Sequence, residues 1–405
     1  MAALTAAEWI SFLTTVLALA GCAYYFLVLW SVRAFLKADS GTHPGPNSGF
    51  HPPVTILKPV KGLDPGMDEA FASHCRQDYA GEYEILFGVS SLDDPAVAAI
   101  ERLKAAFPER SIRIIECPQS LGPNGKLSNL VQMLPAARFD IFVLNDSDIT
   151  VSPHYLSRIV APLRDARVGL VTAPYRGRAH GTFASKLEAL GISTDFFPGV
   201  LAARVLEKGI RFGLGSTLAF SRLALVSAGG FEPLVGQLAD DYQLGARIAA
   251  AGFRVHLSHE VVETSVPPYR FRAFAAHQLR WARAVRVSRP GGYFGMIFTY
   301  GLAWAALNLI TSALDAFSVA LFSLVFLVRM AMALGAGVGI LGDRQVLRRL
   351  WMLLPRDLIA LGLWAWSYAS DTVEWRGQYF RLRKGELVRI DPAESVRRPE
   401  PSCRN

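Results

Sequence analysis

Ile141-Phe142-Val143-Leu144-Asn145-Asp146-Ser147-Asp148-Ile149-Thr150-Val151 is an apolar strand that runs straight into two carboxylates one residue apart. Hard divalent cations prefer oxygen ligands and often share them with substrate phosphates. Ligands of open α/β sheets bind at the carboxyl ends of strands, which is where Asp146 and Asp148 would stand. A competing reading is an ordinary turn, since Asp side chains readily bond their own backbone. The residues around the pair decide between the two.

Outward from this stretch, short apolar runs alternate with helical patterns. Val54-Thr55-Ile56-Leu57, Tyr83-Glu84-Ile85-Leu86-Phe87-Gly88-Val89, Ile112-Arg113-Ile114-Ile115, residues 139–144 and Val168-Gly169-Leu170-Val171-Thr172 read as strands. Helices are expected over 65–76, with Asp64 as cap, and over 95–107, 124–134 and 153–164. Repeated βα units of this length predict an α/β fold with a mostly parallel sheet covered by helices. Beyond it, Phe212 to Phe220 mixes glycines with apolar residues, as where a strand meets a close backbone or ligand. Residues 241–251 read as a helix and Arg254-Val255-His256-Leu257 as an edge strand. A basic helix over 270–288 is expected to lie on a membrane surface.

The ends of the chain differ from its middle. Trp9 to Ser31 carries no charge, and about 20 such residues span a bilayer core. Leu19-Ala20-Gly21-Cys22 resembles a lipoprotein cleavage site, but no base precedes the run and the apolar stretch continues past Cys22, which favours a retained anchor. Residues 293–341 are long enough for two more spans, with Asp315 and Arg329 their only charges. Residues 350–370, broken by Pro355-Arg356-Asp357, are a third region, spanning or re-entrant. Arg33 and Lys37 follow the first span, so the positive-inside rule puts the central domain in the cytoplasm. Arg280, Arg283, Arg286 and Arg289 agree, and the tail with Arg376, Arg381, Arg383 and Lys384 is expected on the same side. A full span at 350–370 would contradict that.

The net charge of +8 gathers in these juxtamembrane segments and fits anionic lipid. No basic patch with stacking aromatics stands out, so no nucleic acid is expected as a partner. Cys22, Cys75, Cys117 and Cys403 have neither paired nor zinc-like spacing.

Other charged motifs admit two readings each. Asp93-Asp94-Pro95 is either a helix cap or a nucleotide contact. Asp240-Asp241-Tyr242 opens a helix, and like charges this close tend to raise one pKa toward that of a general base. Lys126, in Gly122-Pro123-Asn124-Gly125-Lys126, either reaches a phosphate or is solvated. Arg280-Trp281 is either a membrane anchor or a diphosphate contact.

In this order, Ile56-Leu57-Lys58-Pro59-Val60-Lys61-Gly62-Leu63-Asp64-Pro65, Asp93-Asp94-Pro95-Ala96, Lys126-Leu127-Ser128-Asn129-Leu130, Asp146-Ser147-Asp148, Asp240-Asp241-Tyr242 and Arg280-Trp281 resemble the lipid-directed inverting glycosyltransferases of GT-A fold. Within that set the chain looks most like the ceramide glucosyltransferase family, and is close to bacterial hopanoid-associated glycosyltransferases. The resemblance implies a GT-A type, Rossmann-like sheet with transmembrane and interfacial helices. It implies a UDP-sugar donor, a lipid acceptor in the bilayer, and a divalent cation, Mg2+ or Mn2+. Asp94 then holds uridine, and Asp146 and Asp148 hold the metal and diphosphate. Asp241 is the base, while Lys58, Lys126, Arg280 and Trp281 border the UDP-sugar. His277 departs from the family's motif, which has Gln or Arg there.

The expected organisation is an anchor over 1–37, a linker over 38–52 and a GT-A catalytic domain over 53–265. An interfacial helix over 266–292, transmembrane or re-entrant helices over 293–370 and a tail over 371–405 follow. The expected location is multi-pass in a bacterial inner membrane, with the catalytic domain facing the cytoplasm. Transfer of glucose to ceramide is the first expectation. N-acetylglucosamine transfer to a hopanoid is the second, a processive polysaccharide synthase a more distant one, and a non-catalytic scaffold a fourth.

Overall fold

The computed structural model describes residues 5–39, 49–375 and 377–391. Most of the expected linker 38–52, Arg376 and Cys403 lie outside them. The alternating pattern produces β1 (Val54–Pro59), β2 (Tyr83–Val89), β3 (Ser111–Glu116), β4 (Ile141–Leu144), β5 (Ile149–Thr150), β6 (Val168–Thr172), β7 (Tyr175–Ala179), β8 (Leu218–Ser221), β9 (Arg254–Leu257) and β10 (Val262–Val266). A seven-stranded sheet has the order β3-β2-β1-β4-β8-β6-β9, with β9 at its edge as expected. Pairs β3-β2, β2-β1, β1-β4 and β6-β9 are parallel. Every residue of β1 and β2 is buried, as in strands covered on both faces.

β8 enters antiparallel between β4 and β6, which the pattern of βα units did not foretell. It follows a long helical excursion rather than a simple βα crossover, so it runs back through the sheet. Only Leu218–Ser221 of the glycine-bearing stretch is strand; Gly213 and Gly215 lie in the approach to it. β5, β10 and β7 make a second, smaller sheet.

The helices in chain order begin with α1 (Ala6–Asp39), α2 (Met67–Cys75), α3 (Pro95–Ala106), α4 (Gly125–Met133) and α5 (Tyr155–Val160). Next come α6 (Phe183–Gly191), α7 (Phe197–Leu206), α8 (Arg222–Ser227), α9 (Asp240–Ala250) and α10 (Phe271–Ser288). The series ends with α11 (Pro290–Gly295), α12 (Gly301–Thr311), α13 (Ala316–Ala333), α14 (Gln345–Arg349) and α15 (Leu353–Ser367). α2 starts later than the expected residue 65 and is not capped by Asp64. Gly66, at φ 77°, precedes it, and a left-handed residue breaks the helix on that side. Asp64 instead accepts a hydrogen bond from Ser147.

Among the described residues, three helical stretches are long and apolar enough to cross a membrane: Ala6–Ala38, Phe183–Leu206 and Ala316–Ile340. A fourth candidate, Pro290–Thr299 with Gly301–Thr311, is bent by 50°. Phe183–Leu206 was not expected, and more of it is buried inside the protein than of the other two. α15 has 15 residues, fewer than the ~20 a span requires. Beyond it, β11 (Thr372–Trp375), β12 (Gln378–Arg383) and β13 (Glu386–Ile390) form an antiparallel sheet. Leu387 N–H donates to Gly236 O at 2.8 Å, so the tail packs on the catalytic domain.

At the C-terminal end of the basic helix three arginines turn to partners within the protein, while Arg272 near its start is exposed. Arg283 is buried and donates to Thr372 O, Arg286 pairs with Asp371 and Arg289 with Glu207. The tail supplies the partners of Arg283 and Arg286, and Glu207 at the end of α7 that of Arg289.

α1 buries Ala18, Cys22, Tyr25 and Val28 and leaves Trp9, Phe12, Leu13, Phe26 and Trp30 exposed. Small residues let helix backbones approach closely. A Cβ at Gly21 would stand 2.2 Å from Gly301 Cα, and Asn308 Nδ2 donates to Ser11 O and Thr15 Oγ1, both at 2.9 Å. Gly21→Val therefore forces α1 and α12 apart. A cost of about 1–3 kcal/mol is expected for such overpacking, read as a lowered melting temperature of the detergent-solubilised chain.

Candidate active site

β4 ends at Leu144, and its next residue braces everything that follows. Asn145 is fully buried. Its Nδ2 lies 2.8 Å from Ser216 O and 2.9 Å from Tyr155 Oη, and its Oδ1 lies 3.2 Å from His74 Nε2. Burial holds His74 well below the ordinary histidine range, so the ring stays neutral beside the site. The strand end is thus pinned before the first carboxylate.

The two carboxylates then part ways. Asp146 faces a cavity of about 1460 Å³, with 43% of its side chain exposed. Lys58, fully buried beneath, donates to Asp146 O at 3.2 Å. Burial draws Lys58 down to about 7, against the pull of Asp148 and Asp146. Asp148 turns toward β10, where Thr264 Oγ1 donates to it. Pairing of β5 with β10 sets Ile149 opposite Thr264, so the second sheet aims this carboxylate. Burial, reinforced by Asp146, pushes Asp148 up to about 6.

The third acidic motif comes from far along the chain. Asp240 and Asp241 occupy the first turn of α9, where unpaired N–H groups favour negative charge. Lys126 Nζ bridges the motifs, 2.8 Å from Asp146 Oδ1 and 3.1 Å from Asp240 Oδ2. Burial opposes the lysine's charge, but Asp146 and Asp240 outweigh it and hold Lys126 above the ordinary lysine range. Burial and the neighbouring Asp240 raise Asp241 well above the ordinary carboxylate range, with Lys126 pulling the other way. A Cβ at Gly215 would lie 3.0 Å from Asp241 Oδ2 and 3.7 Å from Asp146 Oδ2. Glycine there lets the two carboxylates face one another across bare backbone.

Asp94 caps α3, accepting from Ala96 N–H at 2.9 Å, and also holds Gly62 N–H at 2.9 Å. The cap is thus present, and it ties the loop after β1 to the end of β2. Neither Asp94 nor Lys58 lines the cavity, whereas Lys126, Asp146, Asp148, Asp241, Arg280 and Trp281 all do. Arg280 lies over the Trp375 ring, 5.8 Å from its centroid. Trp281 packs on His277, whose Nδ1 is 3.0 Å from Glu188 Oε2.

Sequence reasoning missed Glu188, buried on α6 and also approached by Gln278 Nε2 at 3.3 Å. A lone acid within Ala184-Ser185-Lys186-Leu187-Glu188-Ala189-Leu190 was the available sign. It also missed Trp375, Gln378, Phe380 and Arg389, which bring the tail sheet to the cavity wall. At its far end the cavity reaches Tyr24, Tyr25, Phe298 and Met332 on the apolar helices.

Among the described residues, no three His, Cys, Asp or Glu side chains form a closed metal cage. Asp146 and Asp148 instead offer two carboxylates, one open to the cavity and one turned to Thr264. Two carboxylates fit a cation that completes its shell with phosphate and water; burial first, and then the charge of Asp146, raises Asp148.

The chain was compared with known proteins. The family model described as Glycosyl transferase family 21 matches residues 13–388. Ceramide glucosyltransferase 3 of Caenorhabditis elegans is 26% identical over 234 residues, 57% of this chain and 50% of that protein. An N-acetylglucosaminyltransferase of Sinorhizobium fredii is 25% identical over 265 residues, 61% of each. The ceramide glucosyltransferase of Komagataella phaffii is 38% identical over 114 residues, 27% of this chain and 22% of that protein. The matches thus span about half or less of the ceramide glucosyltransferases' lengths. Among solved structures, the mannosyltransferase PcManGT from Pyrobaculum calidifontis, in complex with GDP-Man and Mn2+, superposes with TM-score 0.52. It is 20% identical, with 87% of this chain and 98% of that chain covered, and shares the GT-A fold.

The shift of Asp148 has a sign that can be measured. Its folded pKa of about 6 exceeds the ordinary 3.8, so its protonated form favours the fold. That contribution is full below about pH 4 and is lost as pH rises through about 6. In EDTA, Asp148→Asn should therefore gain melting temperature relative to the native chain as pH rises across that window. Mn2+ at about pH 8 should stabilise the native chain and leave Asp148→Asn nearly unchanged.

Proposed function

The chain belongs to glycosyl transferase family 21, and on that premise we propose that it transfers a sugar from a UDP-sugar to a lipid hydroxyl, glucose to ceramide foremost. One observation carries the reading: a single cavity joins Asp146, Asp148 and Asp241 to the apolar helices at Tyr24, Tyr25 and Phe298. A nucleotide sugar suits its carboxylate end, and a lipid alcohol suits its apolar end.

Asp241 is the base. Its upward shift suits a group that must accept a proton near neutral pH. It takes the proton of the acceptor hydroxyl, whose oxygen attacks the anomeric carbon opposite the leaving diphosphate and inverts that centre. Arg280 and Lys126 orient the diphosphate from two sides of the cavity, and Trp281 closes the wall beside them. A divalent cation, Mg2+ or Mn2+, when held by Asp146 and Asp148, supplies positive charge to the leaving group. Lys58 supports this pair from below through Asp146 O. Asp94 fixes the loop at Gly62, and a contact to uridine is the role the family resemblance assigns it. The apolar helices hold the protein in a membrane, bacterial inner membrane foremost, with the catalytic domain on the cytoplasmic side.

The similarity to an N-acetylglucosaminyltransferase supports a second reading, N-acetylglucosamine transfer to a hopanoid. Product analysis separates the two. Membranes containing the chain are given UDP-glucose or UDP-N-acetylglucosamine with ceramide or hopanoid acceptors, and the glycolipid formed identifies donor and acceptor.

Asp241→Asn is expected to retain UDP binding and to lose transfer by about 10²–10⁴-fold, the range for a general base. Near-normal turnover would remove Asp241 from that role. Asp146→Ala is expected to weaken UDP-sugar binding itself, measured by calorimetry with the divalent cation present.

A further inference from the structure

The helical stretch between β7 and β8 is interrupted by a π-helical turn, Ile192–Phe196, with Asp195 inside it. Such turns are frequent at functional sites. Pro198 follows, and proline has no N–H to give the carbonyl four residues earlier. That carbonyl belongs to Thr194, and Arg329 of α13 takes it, Nη1 donating at 3.1 Å. The same guanidinium grips Asp357 of α15, Nε to Oδ2 at 2.9 Å and Nη2 to Oδ1 at 2.8 Å. It also reaches Asp195 Oδ1 at 2.5 Å. Arg356 Nη2 stands 3.3 Å from the other oxygen of Asp195. Two cations and two anions thus cancel within a bundle of apolar helices.

Ionisable groups among apolar helices are costly and mark substrate or ion paths. A mere staple would be buried throughout. Here Arg329, Asp357 and Arg356 keep 2%, 4% and 8% of their side chains exposed, but Asp195 keeps 27%. All four border the cavity that holds Asp146 and Asp241; Asp195 is the most exposed of them, and among the described residues its Oδ2 has no hydrogen-bond partner. Its neighbour Phe196 and Tyr175 line the same cavity. Phe196 packs on Tyr175 with ring centroids 5.3 Å apart. Burial first, then the charge of Asp241, raises the Tyr175 hydroxyl above its ordinary range.

We propose that Asp195 reads the acceptor: its carboxylate, oriented by Arg329 and Arg356, accepts a hydrogen bond from a second donor on the lipid, an N–H or O–H close to the hydroxyl that receives the sugar. This rests on the reading above that the acceptor is a lipid alcohol. The substrate class is then narrower than lipid alcohols at large. A lipid with one isolated hydroxyl leaves Asp195 without its partner and is a poor acceptor. An amide or a neighbouring hydroxyl satisfies it.

The test uses the full chain in detergent with its UDP-sugar and two matched acceptor pairs. One pair is ceramide and N-methylated ceramide; the other is a hopanoid polyol and a hopanoid with a single hydroxyl. In the pair that is glycosylated, the member with the second donor should be preferred by about ten-fold or more in kcat/KM, as a hydrogen bond to a charged group implies. Asp195→Asn should reduce that preference and Asp195→Leu abolish it, with KM for the UDP-sugar unchanged in both. Equal use of both members by the native chain overturns the proposal. So does a variant that slows transfer with the preference intact, or loss of UDP-sugar binding in both variants, which would make Asp195 a staple of the fold. No transfer to any of the four lipids overturns the reading of the acceptor as a lipid alcohol, while UDP-sugar binding shows the donor site standing.

Discussion

Lys126 is the point on which the catalytic end depends. It stands between Asp146 and Asp240, residues brought together from the end of β4 and the start of α9. Without a cation there, the carboxylates at the head of the sheet would repel one another across Gly215. With it, the negative charge is reduced but not cancelled. Asp148 and Asp241 remain raised above the ordinary carboxylate range. A site in that condition favours an added cation and a proton acceptor near neutrality, the two things sugar transfer from a nucleotide diphosphate calls for.

The apolar helices are not a tether on which a separate domain hangs. Phe183–Leu206 belongs to the chain between β7 and β8, yet Arg329 of α13 binds its Thr194 carbonyl and Asp195 carboxylate. α10 and the tail sheet close the other side, and Leu387 N–H binds Gly236 O just ahead of the third acidic motif. The acidic site and the apolar helices are thus one packed body. That is why a single cavity runs from carboxylates to apolar side chains.

Much of this was legible beforehand. The strands β1 to β4 announced themselves as apolar runs because parallel strands buried on both faces need no polar alternation. Asp94 admits a cap or a nucleotide contact from the sequence, and the cap is present. Gly213 and Gly215 read as a close approach, and Gly215 proved to be the gap between Asp146 and Asp241. Other features left no local trace. Glu188 looks like a stray acid until α10 sets His277 and Gln278 beside it. The tail's Trp375, Phe380 and Arg389 carry no motif, because their place depends on a sheet that folds back onto the loop at Gly236 from about 150 residues further along the chain. The antiparallel entry of β8 was hidden for the same reason: strand order is set by long-range pairing, not by the strand's own residues.

The sequence by itself determined the alternating α/β domain, the apolar segments, and the ordered acidic motifs, because periodicity and residue type act within a few positions of each other. It also carried the resemblance from which the chemistry was expected. Only the tertiary structure decided which carboxylate meets Lys126, that Lys58 supports the site from below rather than lining it, and that Arg283 and Arg286 of the basic helix find their partners in the tail. Those outcomes are competitions among partners distant in the chain, and burial settles them: a charge removed from water takes whichever partner the fold brings within hydrogen-bonding distance.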